Sequence, residues 1–154
     1  MSPRGNLQPN YNVMAEFRYQ IRRFLRFSED TARAGGLEPQ QYQLMLALKG
    51  MPADLRPRIG EVAERLQIQH HSTVELVDRL ARRGLVRRRR SESDRREVLL
   101  ELSPRGDKLL QEMALRHWAE YREVAPYLVA ALKRVMREFG SNNGTPRRRK
   151  ASHD

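Results

Sequence analysis

Residues 59–102 read IGEVAERLQIQHHSTVELVDRLARRGLVRRRRSESDRREVLLEL. The period of the apolar residues changes part-way along. Ile59, Val62, Ala63 and Leu66 recur at helical spacing, and so do Leu76, Val77 and Leu80 after a short break at Gln67-Ile68. Gly84 is a good stop for the second of these helices. Beyond it come two short runs, LVRRRR and EVLLEL, separated by the polar SESDRR. They read as the strands of a hairpin, the second with Val98, Leu100 and Leu102 inward and Glu97, Leu99 and Glu101 outward. Two short helices followed at once by a two-stranded wing make a winged helix-turn-helix.

The flanks add helices on both sides. Val13, Phe17, Ile21, Phe24 and Leu25 recur at helical spacing with arginines opposite, which predicts an amphipathic helix reaching Ala34 and stopped by Gly35-Gly36. Glu38-Pro39 opens the next, with proline in the first turn, where its missing N–H costs nothing. Tyr42, Leu44, Met45, Leu46 and Leu48 make that helix apolar on most sides, so it should be buried; Gly50 and Pro52 end it. Ser103-Pro104 caps a fifth helix that carries Leu109, Leu110, Met113, Trp118 and Tyr121 as far as Glu123. A sixth follows Pro126, with Leu128, Leu132, Val135, Met136 and Phe139, and ends at Gly140. Residues 1–11 read as a flexible arm and residues 141–154 as a disordered basic tail. The expected class is mainly α with a small β-wing: a winged helix-turn-helix lobe over 37–103, flanked by helices at 12–36 and 104–140.

The chain has 154 residues, enough for one domain, and no cysteine, which removes disulfides, thiolate metal sites and a thiol switch. No apolar run is long enough to cross a bilayer, and MSPRGNLQPNYN holds no apolar signal segment, so a cytoplasmic location is expected. The net charge of +11 is concentrated. Residues 79–96 hold nine arginines against Glu92 and Asp94, net +7; residues 145–154 carry +3; everything else carries +1. A near-neutral body with one basic element and one basic tail is the pattern of nucleic-acid contact, where arginines displace counterions from phosphates. The bland alternative is a solvated charged face. An α-helix fits the major groove of B-DNA, and an arginine-tipped hairpin reaches the adjacent minor groove. On that reading the run is basic because it lies along double-stranded DNA and bent because it spans two grooves, with Arg82 and Arg83 meeting phosphates.

The string from IGEVAERL through STVELVDRLARRGLVRRRRSESDRREVLLELSPRG resembles the MarR family of bacterial transcriptional regulators. The resemblance is strong over residues 42–110 and architectural outside them. Its specific part is the combination of VDRL-x-x-RGLV, the Asp-Arg-Arg of the wing and the Leu-Ser-Pro-Arg-Gly exit. It implies a triangular homodimer whose first and last two helices intertwine. It also implies regulation through near-palindromic operators, often with release by a small aromatic or anionic molecule. Carried over by position, the wing motif falls on Asp94, Arg95 and Arg96, the first arginine entering the minor groove and the aspartate orienting it. Base contacts are expected from His70, His71, Ser72 and Glu75, with Arg79 nearby. Dimer contacts are expected from Phe17, Ile21, Leu128, Leu132, Val135 and Phe139, while Phe24, Phe27, Tyr42 and Trp118 either line a ligand pocket or are plain core, as aromatics at helical spacing more often are.

The chain departs from the family in places. Gln69-His70-His71 stands where members often have Ser-Pro-Ser, and glutamine is a poor N-cap. Glu75 either accepts from a cytosine amine or pairs with Arg79 one turn on; the pair is favoured, because an unpaired carboxylate near phosphates is costly. Consecutive helical histidines point about 100° apart and rarely share an ion, so no metal or cofactor is expected. No Gly-rich phosphate loop, HExxH or supported Ser/His/Asp grouping is present, and no enzyme is expected. Two function classes remain: a sequence-specific dimeric regulator, with repression the expected sign, and a winged-helix module that binds DNA non-specifically or binds protein. The varied polar head of the fourth helix favours the first. Arg147 to Lys150 either add affinity for phosphates or serve solubility alone.

Overall fold

The computed structural model describes residues 8–142. The expected tail, from 143 onward, and residues 1–7 of the expected arm lie outside them. Five helices and two strands follow in order: α1 Tyr11–Ala34, α2 Pro39–Lys49, α3 Ile59–Leu66, α4 His70–Arg82, β1 Val86–Arg90, β2 Val98–Leu102 and α5 Pro104–Asn142. The strands form an antiparallel hairpin in which Val86 faces Leu102 and Arg90 faces Val98. The chain divides into two compact units, residues 26–121 and the remainder at the two ends; α1 and α5 each contribute to both. Among the described residues no helix is long and apolar enough to cross a membrane.

The first unit is the winged helix-turn-helix lobe. Its core joins Leu37, Tyr42, Leu44 and Met45 of the α2 region to Val62 of α3, Leu76, Val77 and Leu80 of α4, and Leu85, Val86 and Leu100 of the wing. Leu110 and Met113 bring the first turns of α5 onto the same core. The apolar pair Leu85-Val86, embedded in the arginine run, is therefore the anchor of the wing. Gly84 makes the approach possible. It adopts φ +70°, and Leu85 N–H then bonds back to the Leu80 carbonyl at 3.0 Å, closing α4 and reversing the chain into β1. The Glu38 N–H donates to Gln41 Oε1 at 3.2 Å, half of a capping box at the start of α2.

Ser103 closes the exit. Its hydroxyl donates to the Gly84 carbonyl at 2.6 Å and accepts from Gly106 N–H at 2.9 Å, so one side chain ties the end of α4 to the first turn of α5. Ser103→Ala is expected to cost about 1 kcal/mol, the usual worth of a serine cap. The measurement is the denaturant midpoint of unfolding, and an unmoved midpoint would show the cap to be dispensable.

Four expectations are corrected. The fifth and sixth helices are one: α5 runs through Pro126, and Gly140 does not end it. An interior proline costs about 3 kcal/mol, but nothing in Glu123-Val124-Ala125 stops a helix, and buried Val124 and Ala131 hold it on both sides of the proline. Secondly, Trp118 is 72% exposed, whereas His117 is 2% exposed. The buried stripe of α5 is Leu110, Met113, His117, and Trp118 lies about 100° round from it. Thirdly, Leu25 is exposed, outside the stripe begun by Val13, Gln20 and Ser28. Fourthly, the second strand does not simply alternate. Val98, at the tip end of the hairpin opposite Arg90, is exposed, while Leu99 is buried as well as Leu100. Leu99 faces Arg89 across the hairpin, and a long arginine stem can cover an apolar neighbour.

Candidate nucleic-acid interface

Helix α4 buries Thr73, Leu76, Val77 and Leu80. The opposite face presents His71, Glu75, Arg79 and Arg82, all exposed, with His70 exposed at its first turn and Ser72 half-buried. Gln69 supplies no side-chain cap; Thr73 instead turns its hydroxyl back to the Gln69 carbonyl at 3.1 Å. The Glu75–Arg79 pair forms, though at 4.0 Å, and Arg79 also lies 3.5 Å from Glu38 at the start of α2. Two exposed carboxylates thus restrain one guanidinium, each contact worth ~0–1 kcal/mol.

The arginine run sorts into two groups. Arg83 donates to Gln41 Oε1 and to the Gly36 carbonyl, both at 2.9 Å, and so fastens the end of α4 to the α1–α2 turn. Arg87 and Arg89, on one face of β1, share the carboxylate of Glu101 at 2.9 and 3.1 Å. Arg88, on the other face, reaches Asp78 at 2.6 Å. Arg90 donates to the Arg95 carbonyl at 2.9 Å. In contrast, the side chains of Arg82, Arg95 and Arg96 engage no partner among the described residues, and all three residues are exposed. Much of the positive charge is therefore spent on holding the wing together; the remainder stands at the end of α4 and at the wing tip.

The tip itself is a closed loop. Ser91 N–H donates to the Glu97 carbonyl at 2.9 Å, and Glu97 N–H donates to the Asp94 carbonyl at 3.0 Å. Asp94 Oδ1 accepts from Arg96 N–H at 2.9 Å. Asp94 thus shapes the turn that carries both tip arginines, through the backbone rather than through an arginine head group.

Of the four candidate pocket side chains, Phe27 lines one. It lines a cavity of about 330 Å³ together with Asp30, Thr31, Ala34, Arg116 and Glu120. Glu120 Oε1 accepts from Thr31 Oγ1 at 2.7 Å, while Glu120 Oε2 is buried without a hydrogen-bond partner. Tyr42 is in the core, stacked on His117 at 4.3 Å between centroids. Burial, with Tyr121 and Glu120 adding to it, pushes the Tyr42 hydroxyl up to about 12. Trp118 is exposed, and Phe24 is half-buried in the other unit. Reading for hydrophobicity missed His117, whose ring nitrogens lie 3.2 Å from the Met113 carbonyl and 3.1 Å from that of Ser28. Its signal was phase: it stands four residues after Met113.

In the unit formed by the chain ends, Asn10 donates to Glu138 at 3.0 Å, Arg134 to Asn12 at 3.2 Å, and Arg23 lies over the Tyr127 ring. None of Phe17, Ile21, Leu128, Leu132, Val135 and Phe139 is fully buried in the single chain. Tyr11, Met14, Tyr19, Tyr127, Val129 and Met136 are exposed as well.

A family model described as MarR family matches residues 35–97, the lobe from the start of α2 to the wing tip. Over those residues the chain is similar to the MarR family. The chain is 30% identical over 66 residues to the HTH-type transcriptional regulator YsmB of Bacillus subtilis. That match spans 43% of this chain and 45% of YsmB. The fold extends further than the sequence match. AbsC of Streptomyces coelicolor, a MarR family transcriptional regulator, superposes with a TM-score of 0.67 at 21% identity, over 90% of this chain and 97% of AbsC. BpsR of Bordetella bronchiseptica, whose DNA binding is regulated by 6-hydroxynicotinic acid, gives 0.63 at 21% identity, over 84% and 98%. The MarR-family winged helix-turn-helix with its two-stranded wing is thus the fold of this chain.

Proposed function

We propose that this protein is a DNA-binding transcriptional regulator, acting as a homodimer and as a repressor on near-palindromic operators. The observation that carries the reading is the placement of unpaired arginines. Arg82 stands exposed at the end of α4 and Arg95 and Arg96 at the wing tip, while His70, His71 and Glu75 are exposed on α4 itself. Free cations on both the helix and the wing suit a helix in the major groove with added phosphate and minor-groove contacts. Selection of bound sequences from a random DNA pool at near-physiological salt tests it. Enrichment of an inverted repeat with half-sites about 10 bp apart supports a dimeric, sequence-reading regulator. Binding that shows no enrichment and vanishes as salt rises would replace it with non-specific attachment.

The homodimer rests on the apolar side chains that the chain ends leave uncovered, since contiguous exposed apolar surface marks a contact site. Leu132, 44% exposed, is one of them. Leu132→Asp is expected to weaken dimerisation about 100-fold or more, because each copy forfeits burial of its remaining leucine surface, ~1 kcal/mol, and gains a desolvated charge. Analytical ultracentrifugation reads the outcome; an intact dimer would place the interface elsewhere. A small-molecule effector belongs to the same proposal. Phe27 gives the cavity an aromatic side chain and Arg116 a cation, beside the carboxylates of Asp30 and Glu120, so a small aromatic molecule is the class proposed, with BpsR as the precedent. A thermal-shift screen in which no small aromatic molecule raises the unfolding temperature would remove it.

A further inference from the structure

We propose that Arg56 is a positioning residue for the wing, clamping the tip loop so that Arg95 and Arg96 meet DNA in one preset arrangement. The inference rests on the DNA-binding reading above. Arg56 belongs to the irregular segment between α2 and α3, outside both the recognition helix and the hairpin. Its guanidinium reaches the wing at three points. It donates to Ser91 Oγ at 2.8 Å and to Ser93 Oγ at 3.3 Å, and pairs with Glu97 at 2.8 Å. Ser91 and Ser93 lie on the outgoing leg of the loop and Glu97 on the returning leg, so one planar fork holds both legs together.

The surroundings favour a firm clamp. Ser91 is 3% exposed and its hydroxyl also lies 3.0 Å from Ser93 Oγ. The Glu97 side chain is 11% exposed and takes a second arginine, Arg58, at 3.5 Å. The base of the same segment is fixed, since Leu100 N–H donates to the Pro57 carbonyl at 2.8 Å. Electrostatics supply the need. Arg90, Arg95 and Arg96 crowd one short loop, and their mutual repulsion favours an open, mobile tip. The hydrogen bonds within the loop set the shape of the turn. Arg56 sets where that turn stands on the lobe. A loop held in its binding arrangement avoids an ordering cost when DNA arrives.

The test compares wild type, Arg56→Met, which keeps the aliphatic stem, and Glu97→Gln, which weakens the clamp from the other side. The probe is the inverted-repeat duplex from the selection, titrated at several salt concentrations. Arg56→Met is expected to weaken binding roughly 3- to 10-fold, the scale of ordering a few side chains on binding. Glu97→Gln should act in the same direction. The slope of affinity against salt should stay at the wild-type value, because no phosphate contact is lost. In an Arg95→Ala background, Arg56→Met should add less than it does alone, since only Arg96 is left to position. A slope lowered by about 0.9 would mean that Arg56 touches a phosphate itself and would overturn the proposal, as would a full loss on top of Arg95→Ala or wild-type binding by Arg56→Met. Amide hydrogen exchange on the free protein separates this from the underlying reading. Exchange at Ser91 and Glu97 should quicken roughly tenfold in Arg56→Met as the loop opens locally. Unchanged exchange sinks the clamp whatever the DNA results. Quickened exchange in a protein whose wild type ignores every duplex upholds the clamp and sinks the DNA-binding reading.

Discussion

Gly106→Ala is expected to unsettle the lobe more than any other single-methyl change. Gly106 lies in the first turn of α5, directly against the start of the wing. A Cβ built there would stand 2.0 Å from the Leu85 carbonyl oxygen and 2.9 Å from its carbon. Both are backbone atoms, and that oxygen already accepts Ser103 N–H at 3.0 Å. No side-chain rotation relieves the clash, so the junction of β1 with α5 must open. Overpacking of this kind costs about 3 kcal/mol. At this chain length ~1 kcal/mol shifts the unfolding temperature by ~2–4 °C, so a fall of roughly 6–12 °C is expected by calorimetry. Gly60→Ala is the control. A Cβ at Gly60 meets nothing within 4 Å, and removing a helical glycine should stabilise α3 by up to ~1 kcal/mol. Should Gly106→Ala unfold within two degrees or so of wild type, the close packing of α5 on Leu85 would be wrong.

Arg95→Ala is expected to produce the largest loss of DNA affinity among single arginine replacements. Its side chain engages nothing within the described residues, and only its carbonyl is used, by Arg90. The head group is therefore available to DNA without breaking a protein contact. A specific arginine contact is worth about 1–3 kcal/mol, which reads as roughly 5- to 150-fold in Kd. The loss should be greatest on A·T-rich flanks, where a narrow minor groove deepens the negative potential. Arg88→Ala supplies the contrast. Arg88 carries the same charge but lies 2.6 Å from Asp78, and its removal should leave the salt dependence nearly unchanged. Equal losses in both variants would mean that bulk charge, and not the tip, governs binding.

That contrast shows where sequence reading stops. Eight arginines between Arg82 and Arg96 are equivalent as letters. The period-two geometry of β1 puts Arg87 and Arg89 over Glu101 and sends Arg88 to Asp78, and the pairing depends on which acidic residues the fold brings alongside. Composition located the basic element and could not tell arginines that hold the wing from arginines that it presents. Glu75 and Arg79 were legible together because they sit on one helix, four residues apart; Glu38, the second partner of Arg79, caps the start of α2, 41 residues earlier, and was not.

Local rules determined most of the architecture. Gly35-Gly36, Gly84 and Ser103-Pro104 marked the ends of elements because helix termination depends on a few adjacent residues, and the change from helical to alternating spacing after Gly84 announced the wing. Those signals are short-range, so they are written in the order of the chain. Only the tertiary structure decided what depends on neighbours distant in sequence. It carried α5 through Pro126 because buried Val124 and Ala131 hold the helix on either side. It buried His117 and exposed Trp118, because the phase of α5 against α1 and α2 outweighs the hydrophobicity of one residue. It brought Arg56 to the wing tip across a separation of 35 residues from Ser91, a contact made by packing and invisible to any local pattern.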